Sequence, residues 1–265
     1  MRGGFLRVKE IMDEKHPFIY DDELATKARA TIRDYALRIL PVVNENKKLL
    51  GIVSRGDILT ISSSISPIRV KGIMTKTKHV ATKEDEATST IKEMIRLDEW
   101  YVPVIQSKQN KTYEGVLGLE NFIQARLQKA PNKLSKPISE IMSKNVVTCT
   151  PEDEVDNVWR LMQNRSLAGL PVVKKNKLVG IITQRDLLKS GAMMPTFESK
   201  KGRFRKPPKI SAIMQRNVIT LKTTAKAREV AELMISKNIG RIPVKNNKDM
   251  LVGIVDREDI AKLLV

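Results

Sequence analysis

The feature of this sequence that most constrains its fold is a set of landmarks that recurs four times. An Ile-Met pair opens each copy, at Ile11-Met12, Ile73-Met74, Ile141-Met142 and Ile213-Met214. A Pro-Val pair begins 29 residues after each Met, at Pro41, Pro103, Pro171 and Pro243. A glycine follows 9 to 12 residues after each proline, and six residues beyond it stands Asp57, Asn121, Asp186 or Asp259. Repetition at this spacing indicates four copies of one structural unit.

The third copy shows the local structure of the unit most clearly. Its pattern predicts a strand at 146–149, a helix from 150, a hairpin at 170–182 and a second helix from 183. Thr150 would cap the first helix and Pro151 would occupy its first position. Apolar residues at helical spacing predict its buried stripe, which consists of Val155, Val158, Trp159 and Met162. The predicted unit is β-α-β-β-α.

This order of elements and these landmarks resemble the cystathionine-β-synthase-type (CBS) repeat. The matching motifs are Ile-Met at the start, an apolar residue before Pro-Val, and Gly-Ile-Ile-Thr-x-x-Asp at the end. The resemblance implies an α/β (α+β) fold, in which four β-α-β-β-α CBS repeats form two pseudo-twofold CBS-pair modules. Repeats 1 and 2 would pack through their sheets as one module, and repeats 3 and 4 as the other. The four repeats are expected at 8–62, 70–127, 138–190 and 210–265. A basic linker is expected at 191–209.

The junction between the last strand and the second helix of each repeat is an anion site by geometry, because free helix amides point outward there. In repeat 3, Thr183 can donate to a phosphate and Asp186 can accept from ribose hydroxyls, with Arg185 between them. The resemblance implies this role for a Thr/Ser-x-x-Asp pair. It also implies an adenine slot lined by Val146, Thr148, Ala168 and Leu170. The same pair is equally an ordinary capping box, and that alternative stays open.

The four copies differ at these positions. Repeat 1 keeps Ser54 and Asp57, with Arg55 between them. Repeat 2 has Gly118 and Asn121, so it loses the hydroxyl and weakens the ribose acceptor. Repeat 4 has Asp256 three residues before Asp259, and a carboxylate there caps a helix but repels phosphate. We therefore expect one site per module, in the odd-numbered repeats.

Three residues that precede the Pro-Val pairs are also of interest. Trp100 could fill the slot of repeat 2 or stack on a base. Arg38 and Arg241 stand where CBS proteins often present a base to phosphate, although each is also compatible with a solvated surface arginine.

The chain carries a net charge of +18, from 48 Lys and Arg against 30 Asp and Glu. Such a field attracts phosphates on nucleotides or nucleic acids. Six bases in the eleven residues 199–209 suggest either a solvated linker or a nucleic-acid arm. The arm would consist of Lys200, Lys201, Arg203, Phe204, Arg205 and Lys206.

No constellation for catalysis or metal binding is evident, and His16 and His79 are expected at the surface. With the single cysteine Cys149 and no apolar run long enough for a bilayer, a cytoplasmic protein without a membrane partner is expected. The leading hypothesis is a non-enzymatic regulatory protein that senses AMP, ADP or ATP for a partner protein, without an obligatory cofactor. The alternative is a protein that binds DNA or RNA. An S-adenosyl ligand and a homodimer both stay open.

Overall fold

The computed structural model describes residues 5–61, 67–129, 132–191 and 208–265, and the structural statements below concern those ranges. Repeats 1 and 2 each form a three-stranded sheet with two helices. The elements of repeat 1 are β1 Ile19–Tyr20, α1 Ala25–Asp34, β2 Ile39–Val43, β3 Leu49–Ser54 and α2 Arg55–Leu59. Those of repeat 2 are β4 Ala81–Thr82, α3 Ala87–Arg96, β5 Tyr101–Ile105, β6 Tyr113–Gly118 and α4 Leu119–Leu127.

Repeats 3 and 4 follow the same order of elements. Repeat 3 consists of α5 Val155–Asn164, β7 Gly169–Lys174, β8 Lys177–Thr183 and α6 Gln184–Ser190. Repeat 4 consists of β9 Leu221–Lys222, α7 Ala227–Ser236, β10 Arg241–Lys245, β11 Leu251–Asp256 and α8 Arg257–Leu264. In each complete sheet the short first strand is parallel to the second, and the second and third form an antiparallel hairpin. The mixed α/β fold of four related units is therefore confirmed.

Two details of repeat 3 differ from the sequence prediction. The predicted strand 146–149 is reduced to one parallel bridge between Cys149 and Val172. The first helix begins at Val155 and not at Thr150, because residues 150–153 form a turn in which the Thr150 amide donates to Asp153 Oδ2 at 2.7 Å. The Val155 amide then donates to Pro208 O at 3.0 Å, so packing against repeat 4 fixes the start of the helix. The predicted buried stripe and the hairpin are both present.

The Ile-Met segment of each repeat packs on the other repeat of its pair. Four short 3-10 turns carry these segments, at Val8–Glu10, Val70–Gly72, Ile138–Glu140 and Ile210–Ala212. The Val8 amide donates to Asp85 O at 3.0 Å, and the Val70 amide donates to Glu23 O at 2.8 Å. The same exchange links Ile138 to Ala225 O and Ile210 to Asp153 O. Each sequence repeat thus begins on its partner, which joins repeat 1 to repeat 2 and repeat 3 to repeat 4.

Two apolar cores then join the pairs to each other through their helices. One core combines helices of repeats 1 and 3 and includes Ile32, Ile58, Met162 and Leu187. The other combines helices of repeats 2 and 4 and includes Ile91, Phe122, Met234 and Ile260. A smaller cluster between the sheets of repeats 1 and 2 contains Ile39, Val43, Tyr113 and Val116. All four repeats therefore converge on one central region.

Candidate functional site: a central cavity shared by four repeats

The second helix of repeats 1, 3 and 4 begins with a capping box, whereas in repeat 2 only the Asn121 half is present because Gly118 has no side chain. In repeat 1 the amide and the hydroxyl of Ser54 both donate to Asp57 Oδ2 at 2.7 Å. In repeat 3 the Thr183 hydroxyl donates to Asp186 Oδ2 at 2.6 Å, and the Asp186 amide donates back to Thr183 Oγ1 at 3.3 Å. The predicted pairs therefore do cap their helices, as the alternative of an ordinary capping box requires.

A cavity of about 630 Å³ lies where the four repeats meet. Repeat 3 contributes three of the predicted slot residues, Val146, Ala168 and Leu170, and Ile254 and Asp256 of repeat 4 line the same space. Thr148, Thr183, Arg185 and Asp186 are not among the lining residues. The structure therefore places the slot of repeat 3 with the helix start of repeat 4 rather than with its own Thr183 and Asp186.

The exchanged Ile-Met segments explain this arrangement. Ser143 pairs with Ile254, so the segment that enters the slot of repeat 3 runs beside the last strand of repeat 4. Likewise Ile181 pairs with Gln215, and the Gln215 side-chain amide donates to Asp186 Oδ1 at 3.0 Å. Gln215 is thus hydrogen-bonded to the second oxygen of the Asp186 carboxylate, which was expected to bind ribose. Sequence reasoning missed it because the contact joins residues of different repeats.

The slot and the helix start of different repeats are also combined in module 1. Ser54 and Arg55 of repeat 1 line the central cavity together with Lys78 and Trp100 of repeat 2. Ile52 of repeat 1 pairs with Thr75 in the exchanged segment of repeat 2. The half of the cavity in module 1 is therefore built from the helix start of repeat 1 and the slot of repeat 2.

The remaining combination, which would join the slot of repeat 1 to the helix start of repeat 2, is closed. His16 is 9% exposed, and its Nε2 lies 3.1 Å from Ile39 O. The Tyr113 hydroxyl donates to His16 O at 2.9 Å. At the helix start, a Cβ on Gly118 would lie 2.8 Å from a Tyr101 ring carbon, so a hydroxyl-bearing side chain has no room there. The Gly118 amide donates to Asn121 Oδ1 at 2.8 Å, which leaves Asn121 as a capping residue.

The expectation that both histidines lie at the surface was wrong. His16 is buried by the aromatic cluster between the sheets, and the Nε2 atom of the half-buried His79 is buried without a hydrogen-bond partner among the described residues. Burial of this kind depends on long-range packing, which residue type alone does not reveal.

Arginines dominate the centre of the cavity. Arg38 lies over the Trp100 ring at 4.5 Å and Arg241 over the same ring at 5.7 Å, so one indole is flanked by two guanidinium groups. Arg241 Nη1 donates to Gly169 O at 2.7 Å, and the buried Arg55 donates to Ala36 O. Trp100 thus does not fill a slot by itself, and its ring is not free to stack on a base.

These three arginines have no carboxylate within ion-pair distance in the described part of the chain. Burial, together with the neighbouring charge of Arg38, lowers the pKa of Arg55 to about 9. Burial lowers the pKa of Arg241 to about 10, again with a contribution from Arg38. Burial also lowers the pKa of Arg38. The centre therefore holds partly desolvated positive charge without a directly paired carboxylate, and the nearby Asp256 charge opposes the lowering of the pKa values of Arg38 and Arg241.

The side of the cavity in repeat 4 is acidic. Asp256 accepts from the Glu258 amide at 2.9 Å and the Asp259 amide at 3.2 Å, and the Asp256 amide donates to Asp259 Oδ2 at 2.9 Å. Burial, followed by the adjacent Asp256 charge, raises the pKa of Asp259 to about 7. Arg257 is directed away from this pair and bonds Glu120 at 3.1 Å and the Tyr101 hydroxyl at 2.8 Å.

Other predicted features can be stated briefly. The arm residues Lys200, Lys201, Arg203, Phe204, Arg205 and Lys206 lie outside the described residues, so their role stays a prediction. Within the described ranges, no cluster of three His, Cys, Asp or Glu residues suited to a metal is found. Among the helices of those ranges, none has the length and apolar character that crossing a bilayer requires.

Comparison with known proteins agrees with the fold and site. A family model for the CBS domain matches residues 8–64, 138–192 and 210–265, which together are more than half of the chain. The chain therefore belongs to the CBS-domain family. Repeat 2 lies outside the matched ranges, in keeping with its loss of the hydroxyl and the aspartate.

The chain is similar over its whole length to an archaeal CBS protein. Protein MJ1225 of Methanocaldococcus jannaschii is 29% identical over 97% of this chain and 99% of its own length. The crystal structure of MJ1225, described as a candidate archaeal homologue of g-AMPK, superposes with a TM-score of 0.87 over 98% of this chain and 100% of that one.

The match to an enzyme is confined to a small part of that enzyme. Inosine-5'-monophosphate dehydrogenase of the same organism is 33% identical over 128 residues, which are 48% of this chain and 23% of the enzyme. No activity of that enzyme is carried over to this chain by such a partial match.

Proposed function

We propose that this protein is a regulatory protein that binds adenine nucleotides in its central cavity. The observation that carries the proposal is the group of three arginines, Arg38, Arg55 and Arg241, that face one cavity without a carboxylate partner. A buried positive charge is costly unless it is paired, so this group favours an anionic ligand. A planar guanidinium also suits the geometry of phosphate oxygens.

The rest of the cavity supports a nucleoside attached to that phosphate. Val146 and Leu170 line the cavity with apolar side chains, and Ala168 places a small side chain beside them. At the helix starts, Ser54 and Gln184 line the cavity and carry groups that can hydrogen-bond to ribose hydroxyls, whereas Asp57 and Asp259 are not among the lining residues. Apolar walls with a few convergent polar groups are typical of small-molecule sites.

The combination of slots and helix starts changes the expected place of the sites but not their number. Two halves of the cavity are open, one at Ser54, Arg55 and Trp100, the other at Val146, Ala168 and Asp256. We infer one nucleotide per module, with the phosphates directed toward the central arginines. In module 2, Asp186 would then serve as a cap bonded to Gln215 and not as a ribose acceptor.

A regulatory role follows from the position of the cavity. Its walls come from all four repeats, so a bound nucleotide contacts both modules at once. A ligand that binds one arrangement of the modules more tightly than another shifts the population toward that arrangement, which a partner protein can recognise. The likeness to MJ1225, described as a candidate homologue of g-AMPK, supports such a role.

The test is calorimetric titration with AMP, ATP and adenosine. In the double variant Arg38→Gln, Arg241→Gln, AMP affinity should fall at least about tenfold, because hydrogen bonds to charged groups contribute roughly 1.5–3 kcal/mol each. Adenosine affinity should change much less, because adenosine lacks the phosphate. The matched control is Arg160→Gln, Arg216→Gln, which removes two exposed arginines and the same net charge.

The outcomes are distinct even if the double variant loses some stability. Circular dichroism establishes that each variant is folded, and the ratio of AMP to adenosine affinity is measured within each protein. An unchanged ratio in the cavity variant, or an equal loss in the control, would contradict phosphate binding by these arginines.

A further inference from the structure

The hairpin turns of repeats 3 and 4 meet at one edge of module 2 and bring lysines together. Lys177, where β8 starts, forms an antiparallel bridge with Met250, just before β11. Lys222 donates to Asp249 Oδ1 at 3.0 Å. That bond, with the nearby charges of Lys222, Lys245 and Lys177, lowers the pKa of the Asp249 carboxyl. Lysines that are far apart in sequence thus surround one acidic residue.

We define the lysine patch as the turn residues Lys174, Lys175, Lys177, Lys245 and Lys248. All of them except the half-buried Lys245 are exposed, and none forms an ion pair within the described part of the chain. The acidic residue nearest to Lys174, Glu152, is already paired with Lys209 at 2.5 Å. The patch therefore carries a concentrated positive charge that the protein does not neutralise.

Some of the other basic residues in the described ranges have partners, although Lys108 and Lys111, in the hairpin turn of repeat 2, are also exposed and form no ion pair there. On the helices, Arg96 pairs with Glu93 and Arg228 pairs with Glu232. In the corresponding turn of repeat 1, Lys48 donates to Thr112 Oγ1 at 2.9 Å, and Lys47 lies over the Phe18 ring at 5.9 Å. The patch therefore differs from the turn of repeat 1 in that its lysines are brought together around Asp249.

The surroundings of the patch indicate what kind of partner it fits. The large apolar side chains exposed in the described residues, Phe5, Leu24, Tyr35, Leu50 and Ile68, all lie in or before repeats 1 and 2. Protein interfaces are depleted in lysine and depend on apolar anchors, and binding to a membrane surface also requires apolar side chains. Binding to a nucleic-acid backbone needs only lysines and arginines that neutralise phosphates.

We propose that the lysine patch binds the phosphate backbone of nucleic acid, without sequence preference, at the edge of module 2 formed by the hairpin turns of repeats 3 and 4. This function is separate from the nucleotide cavity, because none of the five lysines lines that cavity. Each lysine that contacts a phosphate releases counterions, so affinity should fall steeply with salt.

The experiment compares two triple variants of the full chain with equal charge changes. The patch variant carries Lys175→Asn, Lys177→Asn and Lys248→Asn. The control carries Lys47→Asn, Lys108→Asn and Lys111→Asn, which are exposed turn residues of module 1. Asparagine is chosen because Lys175 and Lys47 have positive φ values, 49° and 56°, which Asn tolerates.

Binding is measured by fluorescence anisotropy with labelled duplex DNA and single-stranded RNA at several salt concentrations. In the patch variant, affinity at low salt should fall about tenfold or more, and the salt slope should decrease by up to about 2.7, at about 0.9 for each of three lost contacts. The control should change affinity less than about threefold.

Three results would overturn the proposal. The parent protein could fail to bind nucleic acid at low salt, the two variants could lose affinity equally, or the patch variant could bind with an unchanged salt slope. The parent could also bind vesicles containing phosphatidylserine through the patch but not nucleic acid, which would assign the surface to a membrane. Calorimetry with AMP establishes that both variants keep the fold of the central cavity.

Discussion

The two modules fill the centre of the molecule in opposite ways. Three residues before the proline of each Pro-Val pair, module 1 has Arg38 and Trp100, whereas module 2 has Ala168 and Gly240. A Cβ on Gly240 would meet the Arg38 guanidinium and would lie 3.1 Å from a Trp100 ring carbon. The large side chains of one module therefore project into space that the other leaves empty. Four copies of one unit can thus form a single asymmetric site, because each position needs to suit only its neighbours across the centre.

The largest expected effect concerns the carboxyl pair that only module 2 contains. Burial and Asp256 raise the pKa of Asp259 to about 7, above its usual value of 3.8, so the native state holds a proton that the unfolded chain releases. The free energy of unfolding should therefore decrease as pH rises from about 4 to about 7 and then level off. At about 1.4 kcal/mol per pKa unit, this loss amounts to a few kcal/mol.

The substitution Asp259→Asn should remove much of this pH dependence. The variant should match the parent near pH 4 and exceed its stability by about 3 kcal/mol at pH 8, as measured by urea denaturation across the pH range. The matched change Asp57→Asn in repeat 1, where Ser54 stands in place of Asp256, should alter the pH profile less. Identical profiles for the parent and Asp259→Asn would refute the assignment.

The second effect concerns how tightly the sheets of each module meet. A Cβ on Gly115 would lie 2.5 Å from Asp13 O, and Gly115 has φ +154°, so Gly115→Ala in module 1 forces backbone to move. At the equivalent Gly253, a Cβ would meet only the flexible side chain of Met142. We expect Gly115→Ala to destabilise the fold by about 2 kcal/mol or more and Gly253→Ala by less. Thermal unfolding of both variants measures the two losses of stability. A larger loss of stability for Gly253→Ala than for Gly115→Ala would contradict the prediction.

The third effect tests whether the open half of the cavity in module 2 depends on a small residue. Ala168→Trp gives repeat 3 the residue that repeat 2 has at this position. The indole should fill the space beside Val146 and Leu170, so one nucleotide site should be lost and titration should saturate at half the parent stoichiometry. Overpacking of this kind can cost about 1–3 kcal/mol of folding stability, so thermal unfolding establishes first that the variant is folded. Ala192→Trp, in the linker, serves as the control, and unchanged stoichiometry in Ala168→Trp would place the site elsewhere.

The smallest effect concerns the charge that distinguishes the two open halves. Asp256→Thr keeps a capping side chain but removes the carboxylate that lines the cavity of module 2. AMP affinity in that module should rise about threefold, and the Asp259 pKa should fall because its neighbouring charge is gone. Calorimetry measures the affinity, and the reverse change Ser54→Asp in module 1 should weaken binding there. Equal affinities for the parent and Asp256→Thr would show that charge at this position does not control access.

Much of the local structure was predictable from the sequence. The hairpin of repeat 3, its buried helical stripe and the capping boxes at Thr183 and Ser54 all depend on hydrogen bonds and periodicities within a few residues. Such short-range interactions are encoded in neighbouring residues, so a pattern of residue types is sufficient to find them. The recurrence of an Ile-Met pair with a Pro-Val pair 29 residues after its Met likewise determined that the chain consists of four related units.

The tertiary structure alone decided which residues share a site. The exchange of Ile-Met segments places Val146 and Ala168 with Asp256 and leaves Asp186 with Gln215, and no local pattern marks such a crossing. Burial of Arg55 and the pKa of Asp259 depend on packing between repeats, because desolvation is set by everything that surrounds a group in space. Sequence therefore determined the four units, and long-range packing determined the single cavity that they form.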